Sequence, residues 1–268
     1  QPERLDREDG DRQPPAHQRL PEQLDGGNPG HLRQVAAQLL TEFQTSLDFL
    51  FNDPAQTSLQ QATLQSAEAL TRGLNRLSGD LDSATGETLQ RLRADLSDAN
   101  EIMEGIAKLN VRVTRAEAGT ELYATLKDQQ DAALNRLAEY MDIRVEPGAE
   151  GTVNIYTQGG MRLLEKDVAQ TLEFDRATGV LTAGGEDITP PRVTGVNSGR
   201  LAGHAQLWNE TLPRMRLQID ELARSIIVSF EDADASLGPG DAGLFTDGGL
   251  AYDPASLTGL AGRIAVND

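Results

Sequence analysis

The chain has 268 residues, no cysteine and a formal net charge of −18. That length holds one large domain or two modest ones with a sizeable core, and the missing thiols exclude disulfides, thiolate metal sites and cysteine nucleophiles. The excess of carboxylates argues against nucleic acid and anionic membranes as partners, and no apolar run is long enough to cross a bilayer. With 38% hydrophobic but only 4% aromatic residues, the cores should be aliphatic and helix-packed rather than built around a ring-lined pocket. The start of the chain also lacks the basic-then-apolar pattern of a secretory signal.

Residues 1–31 form a polar lead with Pro2, Pro14, Pro15, Pro21 and Pro29. It has too few apolar side chains to offset the entropy of ordering, so no packed structure is expected there. From Leu32 a helical face appears in Leu32, Val35, Leu39, Phe43, Leu47 and Leu50, and Asn52-Asp53-Pro54 breaks it. A second helix is expected through Leu59, Ala67, Leu70, Leu74 and Leu77, with Ser78-Gly79 as its end. A third follows the seam Leu89, Leu92, Leu96, Ala99, Met103, Ile106, Asn110 and Val113, whose alternating three- and four-residue steps mark helices packed side by side. Asn110 either fixes register inside that seam or lies where the seam meets solvent. Gly119 separates a fourth helix starting near Thr120, with Leu122, Leu126, Leu134, Leu137 and Met141 on one face.

The period then changes. Ile143-Arg144-Val145, Val153-Asn154-Ile155-Tyr156 and Met161-Arg162-Leu163-Leu164 read as strands, and Gly159-Gly160 supplies the hairpin turn. Short strand-like runs follow at 170–174, 179–182 and 187–189, punctuated by Gly184-Gly185 and Pro190-Pro191. A last long helix is expected over 199–231. Its core side is Leu201, Leu207, Leu212, Leu217, Ile219, Leu222, Ile226 and Phe230, and Pro213 should kink or restart it. Beyond Asp232 the chain is mostly glycine- and aspartate-rich loop, with a final strand expected at 263–266. The fold class is therefore mainly α with a small β insertion, an elongated helical bundle carrying a small antiparallel β domain. The bundle takes residues 32–141 and 198–235, the β domain 142–197, and the loop 236–268.

No residue set asks to be an active site, so catalytic, cofactor-binding and metal residues are all expected to be none. His17, His31 and His204 lack a metal-ligand partner at helical spacing. Asp232, Asp234, Asp241, Asp247 and Asp253 lack the spacing of a calcium loop and read as a solvated acidic stretch. Gly238-Pro239-Gly240 and Gly248-Gly249 are followed by no phosphate-binding lysine. Ser198 has no nucleophile-elbow setting, Glu231-Asp232 are merely adjacent, and Trp208 reads as a packing residue.

Several segments in order are familiar. Leu126-Lys127-Asp128-Gln129-Gln130-Asp131, then Leu134, Leu137-Ala138, Ile143 and Val145, then Gly151-x-Val153-x-Ile155-Tyr156-x-x-Gly159-Gly160-x-x-Leu163-Leu164 resemble the core of the flagellar hook-associated protein 1 family. Ser198-Gly199-Arg200-Leu201-x-Gly203, Leu212-Pro213, Leu217-x-x-Asp220-x-Leu222-Ala223 and Gly243-Leu244-Phe245 fit the same family further on. Relatives commonly carry arginine where this chain has Gln130, which puts in doubt any ion pair that arginine makes.

The resemblance implies a core fragment without the terminal heptad arms, non-enzymatic and expected to be monomeric alone. The implied role is a structural subunit of the bacterial flagellum, extracellular at the hook–filament junction and exported by the flagellar type III pathway without a cleaved signal. The implied partners are further copies in a ring, the hook protein, a second hook-associated protein, and an export chaperone acting through the C-terminal arm. No nucleic acid, membrane insertion or cofactor is implied. Another axial protein (the second hook-associated protein or a flagellin) and a non-flagellar coiled-coil binding module remain as alternatives, with an enzyme the weakest reading.

Overall fold

The computed structural model describes residues 29–238 and 240–267, with side chains from residue 34 onward. Helix α1 (Pro29–Asn52) begins on a proline, whose missing N–H costs nothing in a first helical turn, and ends just before Asp53-Pro54. It returns antiparallel along helix α2 (Thr57–Val113), tied by Ser46 to Ser66 at 2.6 Å and by the Thr63 hydroxyl donating to the Ser46 carbonyl at 3.1 Å. Gly73 makes the close approach workable, since a Cβ there would run into Leu39.

The main departure from expectation is that α2 is a single helix of 57 residues, about 85 Å long at the standard rise. Ser78-Gly79 does not end it. The buried positions Leu70, Leu74, Leu77 and Leu81 carry the seam through the glycine, and packing on that face outweighs local propensity. Helix α3 (Glu121–Tyr140) follows a turn at Gly119, whose φ is +87°, and Thr120 caps it by accepting from the Tyr123 N–H at 3.2 Å. Its inward face is Leu126, Gln130, Leu137 and Tyr140, whereas Leu122, expected inside, is 57% exposed.

Seven short strands follow. β1 (Ile143–Pro147), β2 (Val153–Thr157), β3 (Arg162–Glu165) and β4 (Val168–Ala169) form one antiparallel sheet in that order. β5 (Leu172–Asp175), β6 (Val180–Ala183) and β7 (Glu186–Asp187) form a second. The β2–β3 turn uses Gly160 at φ +91°, and Gly159 has no room for a side chain against the backbone of Val193.

The return helix comes in two parts, α4 (Gly199–Gln206) and α5 (Leu212–Ala233), joined without interruption by a π-helical turn at Leu207–Thr211. In that turn the Leu212 N–H reaches back five residues to the Leu207 carbonyl. Widening the helix here accommodates Pro213, which has no N–H to give, so the expected break becomes a bulge. Met215, Ile219, Ala223, Ile226 and Ile227 face inward, while Leu217 is 53% exposed instead of in the core. A last hairpin pairs β8 (Phe245–Asp247) with β9 (Ile264–Val266).

Two cores are threaded on α2. One packs the first half of α2 against α1, α5 and the last hairpin, with Phe43, Leu70, Leu74, Ile227 and Phe245 at its centre. The other packs the second half of α2 against α3, α4 and both sheets, through Leu92, Met103, Ile106, Leu137, Ile155 and Leu181.

Candidate functional site

Three polar constellations are buried, and each was scattered in sequence. The first surrounds Asn110, 1% exposed on the α2 seam. Its Nδ2 donates to the Val153 carbonyl at 2.8 Å, and its Oδ1 accepts from the Val153 N–H at 3.0 Å and from Gln130 Nε2 at 2.7 Å. Gln130 is fully buried, and its Oε1 accepts from Lys127 Nζ at 2.6 Å, which in turn donates to the Gly151 carbonyl at 3.1 Å. Asn110 thus fixes register inside the seam rather than reaching solvent. Gln130 faces the neutral amide of Asn110, and no carboxylate bonds to it.

The second constellation ties α4 to α2. Asp95, 1% exposed, forms an ion pair with Arg200 through one oxygen, and through the other it contacts His204 Nε2 at 3.1 Å. The Arg200 guanidinium also lies 4.9 Å from the Tyr140 ring centroid. Burial lowers the pKa of His204 below the usual histidine value, against the pull of Asp95 in the opposite direction. A neutral ring donating from Nε2 to Asp95 satisfies the geometry. Asp95 and His204 supply two of the three residue types of a hydrolytic triad, in composition only. Ser198, the residue before α4, makes no side-chain capping bond, and its backbone N–H donates to Asp142 Oδ1 at 3.2 Å.

The third is Asp220, 2% exposed, whose two oxygens accept from the Gly259 and Ala261 N–H groups at 2.8 and 2.9 Å. It holds the last loop onto α5.

Of the five aspartates in the acidic stretch, Asp232 lies in the last turn of α5 and the other four are spent locally. Asp234 accepts from Ser236, Asp241 from the Gly238 N–H, and Asp253 from the Ala255 N–H. Asp247 makes a two-point pair with Arg263 at 2.7 and 3.1 Å. Among the described residues no three His, Asp or Glu converge as a metal set, and no helix is long and apolar enough to cross a membrane. Trp208 packs edge-on against Phe174 at 5.9 Å. His17 and the side chain of His31 lie outside the described residues, as does Pro239.

Two clefts among the described residues are open to solvent. One of about 600 Å³ lies over β5 and β6 beside Arg93 and Phe174. Another of about 450 Å³ lies between the end of α2 and the β1–β2 and β3–β4 loops, with charges of both signs. Every buried side-chain nitrogen and oxygen among the described residues has a hydrogen-bond partner.

Polar groups spent on docking one element to another, together with two cores on one long helix, define a helical structural scaffold with small sheets attached. The family comparison agrees. The chain belongs to the family of the flagellar hook-associated protein FlgK helical domain, whose model matches residues 34–237. In fold it is similar to the flagellar hook junction protein FlgK from Burkholderia pseudomallei, with a TM-score of 0.64 at 20% identity. That match covers 82% of this chain, and the chain spans 43% of the solved one. No curated protein matches the chain.

Proposed function

We propose that this chain is the core of a structural subunit at the hook–filament junction of the bacterial flagellum, required for the filament to assemble on the hook. The family match across residues 34–237 carries this reading. The interior supports it, because its buried polar groups serve docking and not chemistry. The role is mechanical and non-enzymatic. Side-by-side copies form a ring, with the hook protein on one side and a second hook-associated protein on the other. An export chaperone holds the C-terminal arm of the full-length protein until it leaves through the flagellar type III pathway. In domain terms, 32–141 with 198–235 form the bundle that lines up with its neighbours, and 142–197 form the β part that projects from it.

Immunogold electron microscopy of flagellated source cells, with antibody raised against this chain, tests the proposal. Gold confined to the hook–filament boundary is expected. Label along the whole filament would reassign the chain to a flagellin, and unlabelled flagella would overturn the reading altogether.

A further inference from the structure

Between its two cores the molecule has a waist. Among the described residues of α2, Thr88 is the single buried side chain between Leu81 and Leu92. Gly86 lies in this stretch and Gly79 two residues before it, each with open space where a Cβ would stand. Ser83, Thr85 and Thr88 turn their hydroxyls back onto the carbonyls four residues earlier, at 3.1, 2.7 and 2.8 Å. Such back-bonds compete with the helical ladder and favour bending.

The opposing helix is weakened at the same level. The π-helical turn at Leu207–Thr211 lies there, just ahead of Pro213. A void of about 40 Å³ separates the two helices, lined in part by Ala84, Thr88, His204, Leu207 and Thr211. Polar clamps stand on both sides of it. Asp82 pairs with Arg216 toward the aromatic core, and Asp95 pairs with Arg200 and His204 toward the sheet-bearing core.

We infer that this waist is a flexural joint, about which the two cores bend against each other while each stays rigid. A 57-residue helix packed tightly along its whole length would act as a rod. Here α2 loses buried packing and the opposing helix loses its regular backbone bonding at one level, so bending is concentrated there. The joint is a property of the chain itself and does not depend on where the chain sits in a cell.

Double electron–electron resonance on the full chain tests this, and the absence of native cysteine leaves introduced labels unambiguous. Labels at Arg72→Cys and Lys108→Cys, both exposed, span the waist and would stand about 54 Å apart on a straight helix. Control pairs at Gln60/Arg76 and Arg93/Lys108 each stay within one core. The spanning pair should show a distribution about twofold broader than either control, with weight shifted to shorter distances. Gly79→Ala combined with Gly86→Ala fills open helical positions, so it keeps the fold and should narrow that distribution toward the controls. Amide exchange should be about tenfold faster over 82–90 than over 94–103 in the unmodified chain. A spanning distribution as narrow as the controls would overturn the inference. So would a broad one that the double substitution leaves unchanged, since bending would then originate elsewhere.

Discussion

The two cores on α2 solve the same packing problem with different chemistry. The first is all helix plus a small hairpin, and its centre is a cluster of three phenylalanines. Phe43, Phe230 and Phe245 meet at centroid distances of 5.0–5.6 Å in tilted and edge-on geometry, although their elements lie far apart in the chain. The second core is aliphatic and must seat strands on a helix. Strand edges carry backbone groups that a helix cannot satisfy, and here two asparagines of α2 do so instead. Asn110 supplies donor and acceptor to Val153, which lies opposite Pro147, a residue with no N–H. Asn100 does the same for Leu172 on the edge strand β5, at 2.9 and 2.8 Å. Helix on helix needs only apolar complementarity, whereas sheet on helix also needs amides at fixed positions.

The largest expected effect comes from breaking the aromatic core. Phe43, 2% exposed, touches both other rings, and Phe43→Ala should cost about 3–5 kcal/mol. Amide exchange should then show protection lost in α1, α5 and the last hairpin before the sheets. Equal loss in both cores would mean that they unfold as one unit, and the contrast between them would fail.

Next in size is Asn110→Ala. It leaves both Val153 backbone groups and the Gln130 amide without their buried partner. At roughly 1–3 kcal/mol per stranded group, partly relieved by relaxation, a loss of about 2–4 kcal/mol is expected. Chemical denaturation measures the total, and exchange in β1 and β2 shows whether the loss is local. A change under about 0.5 kcal/mol would remove the amide from the account of how the sheet is held.

Much of this was legible in the residues. The α2 seam from Leu92 to Val113 and the glycine turn between β2 and β3 follow from spacing alone, and Asn110 stood out as a polar residue on an apolar seam. Its partner was readable in principle too. Gln130 falls four residues after Leu126 and seven before Leu137, on the inward face of α3, so two amides lie on two buried faces. Other features were hidden because tertiary packing decided them. Gly79 reads as a terminator and is carried through by leucines on the opposite side. Leu122 and Leu217 fit their helical faces and are left uncovered by the neighbours that happen to be there. Asp95 and His204 meet across more than a hundred residues of sequence, and no local spacing announces the pair.

That pair sets a smaller effect, one that sharpens the difference between the cores by pH. His204 is 16% exposed and faces Asp95 and Arg91 from α2 and Arg200 from its own helix. Its folded pKa is lowered below the reference of 6.5, chiefly by burial, so the unfolded chain binds the proton more readily. Its contribution to stability is therefore complete above about pH 6.5 and is lost as the pH falls toward the folded value. Urea midpoints measured between pH 7.5 and 5 should fall more steeply in the native chain than in His204→Gln. The aromatic core has no buried histidine among its described residues, so exchange in α1 should lag behind that in α4. Parallel slopes in the two proteins would show that His204 titrates as it does in the unfolded chain.

The smallest effect is expected where a phenylalanine lies outside either core. Phe51, at the corner between α1 and α2, is 85% exposed, and its neighbour Phe49 is 59% exposed. Phe51→Ala removes no buried contact, so stability should stay within about 0.5 kcal/mol of the native value. Set beside Phe43→Ala, it separates two uses of the same side chain only eight positions apart in one helix. On the proposed junction role, the same substitution in flagellated cells makes a clean probe, because a loss of filaments would report a broken contact with a neighbour and not a broken fold. A destabilisation above about 1 kcal/mol would instead mean that the ring packs within the chain itself, and the corner would belong to the aromatic core.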